Sequence, residues 1–156
     1  MPVEPEVADH DPSIALYGGS EDERARMPLF GVTGTNGKTS TVRMIERLLA
    51  ATGMRTGRFT SPHLATIRER IALDGEPISE EGFIAAWEDV APCIRLVDER
   101  SQSAGGPRLS FFEVLTVMAL AAFADYPVDV AVIEVGLGGR LDATNVIAAP
   151  RLSVIT

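Results

Sequence analysis

Residues 29–52 read LFGVTGTNGKTSTVRMIERLLAAT: a short apolar run, a glycine-bearing turn, then a stretch with helical spacing. Strand, loop and helix in that order constrain this chain more than any other feature. Backbone N–H groups at a helix N-terminus point at an anion, and the helix dipole adds to the attraction. The usual phosphate loop is G-x-x-x-x-G-K-[ST]. Gly37-Lys38-Thr39 supplies its second half, but the first glycine would fall at position 32, which is Val32; Gly31 comes one place too early and Gly34 two too late. The stretch therefore reads as a phosphate loop of altered spacing. Gly34, Thr35, Asn36, Gly37, Lys38, Thr39 and Ser40 would surround the nucleotide phosphates, with Lys38 reaching the outer ones and the Thr39 hydroxyl holding Mg²⁺.

The remainder of the chain alternates between the two periodicities. Residues 1–27 are rich in Pro, Glu and Asp and read as a poorly ordered lead-in. In the helix over 38–52, Val42, Ile45, Leu48 and Leu49 share one face and Arg43, Glu46 and Arg47 the other, with Gly53 suited to end it. Residues 55–60 and 71–73 read as strands, the second ending at Asp74-Gly75. Ser79 is placed to cap a helix running to about Arg100, with Phe83, Ile84, Trp87, Val90, Ala91, Ile94 and Val97 inward and a kink at Pro92. Trp87 and Cys93 are read as helix packing. Residues 101–108 form a polar linker, and residues 110–125 a helix apolar nearly all round and hence buried. VDVAVIEVG, 128–136, is a continuous β-branched run of the kind found in doubly covered parallel strands. Residues 152–156 begin another strand. Alternating strands and helices predict an α/β fold with a parallel sheet. A last strand without a covering helix leaves an edge and a face open, which reads as part of a larger protein.

Composition narrows the function classes. The 156 residues carry a net charge of −8, against the basic face that nucleic-acid binding requires. A local backbone site can still bind phosphate in an acidic protein. The longest apolar stretch, 114–124, falls short of the roughly 20 residues of a membrane span. No leader with an apolar core is visible, and the single cysteine fits a reducing compartment. A cytoplasmic protein without nucleic-acid or membrane partners is expected. Glu134, near the carboxyl end of the β-branched strand, stands where α/β sheets place ligands and could hold the Mg²⁺ of a bound nucleotide.

The form GTNGKT resembles the ATP-binding loop of the Mur ligase superfamily, ATP-dependent enzymes that activate a carboxylate as an acyl phosphate for attack by an amine. TSPHL (60–64), SFFEVLT (110–116) and EVGLGGRLDATN (134–145) are similar to the folylpolyglutamate synthase and dihydrofolate synthase branch. The resemblance covers residues 30–156 and implies a Mur-ligase-like central ATPase domain over 28–156, present in part. It implies ATP and Mg²⁺ as cofactors and L-glutamate with folate or dihydropteroate as substrates. Ser61 would join Thr39 and Glu134 at the metal.

Ser110, Phe111, Phe112 and Glu113, with Leu141, Asp142 and Ala143, match the stretches that contribute to the pterin pocket. Phe112 would stack on the flat heterocycle and Asp142 accept hydrogen bonds from it. Two plainer readings stand beside these: Ser110 and Glu113 form a capping box, and Asp142 suits an Asx-type turn. His63 receives no role, Arg140 is left open, and Arg68 and Arg70 either steer an anionic substrate or are solvated. The family's helical N-terminal segment has no counterpart here, nor do its later histidine, carbamylated lysine and glutamate-binding domain. No catalytic residue is assigned, and these 156 residues are expected to be an inactive portion of the ligase. A cell-wall amino-acid ligase and a non-catalytic nucleotide-binding fragment are the competing readings.

Overall fold

The computed structural model describes residues 28–146 and 150–156, so the expectation for 1–27 lies outside the described residues. Six strands form one sheet: β1 (Leu29–Thr33), β2 (Thr56–Phe59), β3 (Ile71–Leu73), β4 (Glu76–Pro77), β5 (Val130–Glu134) and β6 (Leu152–Ile155). Their spatial order is β4-β3-β2-β5-β1-β6. β2, β5, β1 and β6 run parallel, while β3 and β4 are antiparallel additions at one edge. The sheet is therefore mixed rather than wholly parallel. The Asp74-Gly75 turn, with φ of 50° and 87°, folds β4 back on β3, closer than any crossover permits.

Among the described residues three helices cover the sheet: α1 (Lys38–Ala51), α2 (Glu80–Ser103) and α3 (Phe111–Asp125). Val42 on α1 meets Val32 and Val132 on one face, with Phe30, Ile45, Leu49 and Val154 packed around them. On the other face α3 lies against the sheet, and α2 packs on α3. That sandwiched position explains why α3 is buried from Leu115 to Leu120 without a break. β5, central and covered on both faces, is buried at all five positions. It runs from 130 to 134, shorter than the apolar run that predicts it.

Two helical faces differ from their sequence pattern. On α1, Leu48 is 70% exposed and Glu46 only 2% exposed. Glu46 turns inward because Arg58, pointing up from buried β2, stands 2.8 Å from its carboxylate. A periodicity argument sorts residues by polarity and cannot see that two opposite charges bury each other. The pair is incompletely satisfied: Glu46 Oε1 and Arg58 Nη1 have no hydrogen-bond partner, and the Nε–Oε2 contact is an ion pair without an aligned hydrogen bond. Burial pushes the Glu46 carboxyl up and the Arg58 guanidinium down from their ordinary values, each opposed by the other's charge.

On α2 the seam is Ala86, Val90, Ala91 and Ile94, whereas Ile84, Trp87 and Cys93 are exposed. The buried seam passes through the small residues Ala86 and Ala91 with Val90 and Ile94, and leaves Trp87 exposed. The Ser79 hydroxyl caps this helix by accepting from Gly82 N, 3.0 Å away. The helix runs unbroken past Pro92 to Ser103, into the stretch read as linker.

Glu46→Ala strands Arg58 in the interior and is expected to cost about 3–5 kcal/mol in denaturant unfolding. Replacing both residues, Glu46→Leu with Arg58→Met, should restore most of that loss. A double variant as unstable as the single one would show that the pair is not the cause.

Candidate phosphate and metal site

The loops carrying Lys38, Ser61 and Asp142 leave the carboxyl ends of β1, β2 and β5. β1 and β2 are consecutive in sequence but β5 lies between them. The chain passes over one sheet face through α1 and returns over the other through α2 and α3. Such a reversal opens a crevice at the strand ends, the usual ligand position in α/β sheets.

The altered spacing of the glycines has a structural reason. Val32 is a fully buried strand residue, paired in register with Glu134. The loop begins after Thr33, with Gly34 at φ 142°. A side chain at Gly34 would collide with Thr156, whose hydroxyl donates to Asn36 O at 2.7 Å. Gly37 caps α1 in the left-handed conformation without a side-chain cap, and space above it is open. The first-turn N–H groups of α1 thus lack a side-chain acceptor at their own N-cap. Lys38 Nζ donates to Gly34 O at 2.9 Å, closing the loop into a ring. Thr35, Asn36, Gly37 and Ser40 are exposed around it.

Glu134, Thr39 and Ser61 come together. Glu134 is 2% exposed, and its Oε2 accepts from the Thr39 hydroxyl at 2.8 Å and from Ser61 N at 3.4 Å. Among the described residues no Lys, Arg or His forms a salt bridge with it. A buried carboxylate is ordinarily paired with a cation or coordinates a metal. One carboxylate and two hydroxyls are hard oxygen donors, and Mg²⁺ is usually held by one or two carboxylates with phosphate and water filling the other positions. Among the described residues no group of three His, Cys, Asp or Glu makes an all-protein cage. The donor set therefore fits a nucleotide-bridged Mg²⁺.

The residues matched to the pterin pocket divide. A Cβ at Gly136 would stand 2.6 Å from Phe112 Cζ and 3.0 Å from Asp142 Oδ2, so Phe112 and Asp142 come together on the Cβ side of this glycine. Phe112 also stacks at a tilt on Phe59, 5.6 Å between centroids. Asp142 is buried and already accepts from Leu137 N at 2.7 Å and from Thr144 N and Oγ1 at 3.0 and 2.6 Å. The turn reading of Asp142 accordingly describes its contacts here, while a carboxylate with about four acceptor positions keeps one for a further donor. Glu113 accepts from Ser110 N at 2.6 Å in a complete capping box. Phe111 is 57% exposed with the Arg70 guanidinium 5.4 Å from its ring centre. Leu141 is 94% exposed and Ala143 buried.

Sequence reasoning passed over Glu69. Its carboxylate accepts from Leu64 N, Ala65 N and Thr66 N at 3.0, 2.9 and 2.8 Å. These three N–H groups hold its carboxyl down at about 2. The anchorage is therefore complete above about 4.5, the ordinary value, and is lost as pH falls towards about 2. The signal was present: Thr66-x-x-Glu69 is a capping-box spacing. His63, left without a role, accepts at Nδ1 from Arg70 Nε, 2.9 Å away.

No protein-family model matches the chain. The dihydrofolate synthase/folylpolyglutamate synthase of Mycobacterium tuberculosis is 56% identical over 153 residues, covering 94% of this chain and 31% of that relative. The solved folylpolyglutamate synthase of M. tuberculosis complexed with ADP and AMPPCP superposes with a TM-score of 0.81 at 51% identity, over 92% of this chain and 33% of that one. The bifunctional folylpolyglutamate synthase/dihydrofolate synthase of Yersinia pestis, with Mn, AMPPNP and L-glutamate bound, gives a TM-score of 0.74 at 32% identity, over 92% and 33%. The chain spans about a third of the length of these proteins. With the phosphate loop and the Glu134 cluster on the fold those structures share, this chain belongs to the folylpolyglutamate synthase/dihydrofolate synthase family, as a segment matching about a third of such a protein.

Proposed function

We propose that residues 28–156 are the MgATP-binding part of a ligase that joins L-glutamate to a folate, or to dihydropteroate, in the cytoplasm. One observation carries the reading: Glu134, buried and without a basic partner among the described residues, meets the Thr39 hydroxyl and the Ser61 loop at the mouth of the phosphate loop. The relatives' bound ADP, AMPPCP, AMPPNP and Mn support nucleotide and divalent metal as its ligands. Mg²⁺ supplies charge neutralisation between phosphates, the chief demand of phosphoryl transfer. The chain's own groups do the positioning. Lys38 releases Gly34 O and turns its ammonium to the outer phosphates. The N–H groups of Gly37, Lys38 and Thr39 hold the inner ones. Glu134, Thr39 and Ser61 supply oxygen ligands. Phe112 and Asp142, together on the Cβ side of Gly136, would offer a ring face and one acceptor position to a flat heterocycle carrying N–H donors. A substrate carboxylate that takes the γ-phosphoryl group of ATP, releasing ADP, would then be attacked as an acyl phosphate by the glutamate amine, forming an amide bond and releasing inorganic phosphate and a proton.

Lys38→Ala should weaken MgATP binding by about 1.5–3 kcal/mol, the loss of a charge-assisted contact. Calorimetric titration of the full-length gene product checks this, and unchanged affinity in a folded variant would remove the phosphate-loop reading. Glu134→Gln keeps shape but not charge, and should raise the magnesium needed for half-maximal ligase activity with little change in melting temperature. The reverse pattern would make Glu134 structural. Asp142→Ala should impair use of the pterin substrate more than use of ATP in steady-state titrations, whereas equal losses would assign Asp142 to the turn alone.

A further inference from the structure

The loop carrying Ser61 has no secondary structure of its own, yet Ser61 must sit within reach of Glu134. What holds it lies just beyond, in the short 3₁₀ turn Ile67–Arg70. Thr60 N donates to Arg70 O at 2.9 Å, and the Thr60 hydroxyl to Glu69 O at 3.4 Å, fixing the loop's entrance. The Glu69 carboxylate gathers the N–H groups of Leu64, Ala65 and Thr66, fixing its exit. Capping accounts for only the last of these, because Leu64 and Ala65 precede the N-cap Thr66. A four-residue turn needs no such investment for its own sake. Neither neighbouring arginine competes for the carboxylate: Arg70 donates to His63 Nδ1 at 2.9 Å and Arg68 to Ile78 O at 3.1 Å. Glu69 therefore acts on backbone, and what it shapes is the segment from Thr60 to Thr66.

We infer that Glu69 is the positioning residue of this loop, the side chain that keeps Ser61 at the Glu134 carboxylate and so sets the affinity of the site for a divalent cation. The inference rests on the reading of Glu134, Thr39 and Ser61 as the metal site. It assigns Glu69 no contact with the ion. Groups that orient metal ligands typically change affinity 10–100-fold when removed, and a carboxylate with two oxygens on three N–H groups has no neutral equivalent among the natural side chains.

The test uses the full-length gene product as wild type, Glu69→Ala, Glu69→Gln and Glu134→Gln. Mn²⁺ binding in the presence of AMPPNP is followed by the electron paramagnetic resonance of free Mn²⁺. AMPPNP affinity without metal and the melting temperature are measured alongside. Glu69→Ala should weaken Mn²⁺ binding about 10–100-fold while metal-free nucleotide affinity holds. Glu69→Gln, which keeps one acceptor oxygen, should fall between it and wild type. Mn²⁺ affinity within twofold of wild type in the Glu69 variants, with Glu134→Gln impaired, would overturn the inference and leave the site standing. Normal Mn²⁺ binding in Glu134→Gln would overturn the site and the inference together. Equal losses of Mn²⁺ and metal-free nucleotide affinity would make Glu69 a general structural residue, against the inference. If Glu69→Ala does not fold, Glu69→Gln decides on the same readings.

Discussion

The parallel pairing of β1 with β5 is the constraint on which the site depends. Its register sets Val32 opposite Glu134. The loop leaving β1 and the carboxylate ending β5 therefore emerge side by side, although about a hundred residues separate them. Because β5 is covered on both faces, Glu134 has no route to solvent along the sheet, and its charge is directed at the crevice. Sliding the register by one residue would turn Glu134 to the opposite face and break the meeting with Thr39. The apolar contacts of Val32, Val42 and Val132 fix that register from the α1 side, and Phe59, Ile133 and α3 from the other.

The fold was largely legible because its strongest signals are local. The β-branched run 128–136, the Ser79 and Ser110 caps and the mostly apolar helix at 111–125 each announce one element. What escaped was pairwise. Nothing in the spacing of Glu46 or Arg58 shows that they neutralise each other inside. Nothing around Trp87 shows that the buried seam will pass through Ala86 and Ala91 and leave the large ring exposed. The antiparallel β4 is two residues long, below the length at which periodicity carries information.

The site divides along the same line. Lys38, Thr39 and Glu134 could be singled out from the sequence because each sits at a standard place, a helix start or a strand end. Ser61 was named through likeness to a family motif, and the fold brings its N–H to Glu134. Glu69 was passed over because, beyond its capping-box spacing with Thr66, its contacts to Leu64 N and Ala65 N follow no residue pattern. Asp142 shows the converse difficulty. Its turn contacts and its suitability for a heterocycle's N–H groups draw on the same carboxylate, and residue type does not separate the two.

The contact of Thr156 with Gly34 and Asn36 bears on when the nucleotide loop takes shape during folding. A phosphate loop looks like a short, self-contained motif. Here its glycine is packed beneath a residue following β6, with hydrogen bonds from Thr156 to Thr33 O and Asn36 O that span more than a hundred positions of sequence. Loops of that length close only after their entropy has been offset by other structure. β6 must also dock on β1 before Thr156 can reach the loop. The strand and helix flanking GTNGKT can form early from neighbours, while the loop between them gains its strut only when the last described strand arrives. The shape of this loop is thus a late, non-local property, and a nascent chain halted short of β6 would carry the complete motif without the support that shapes it.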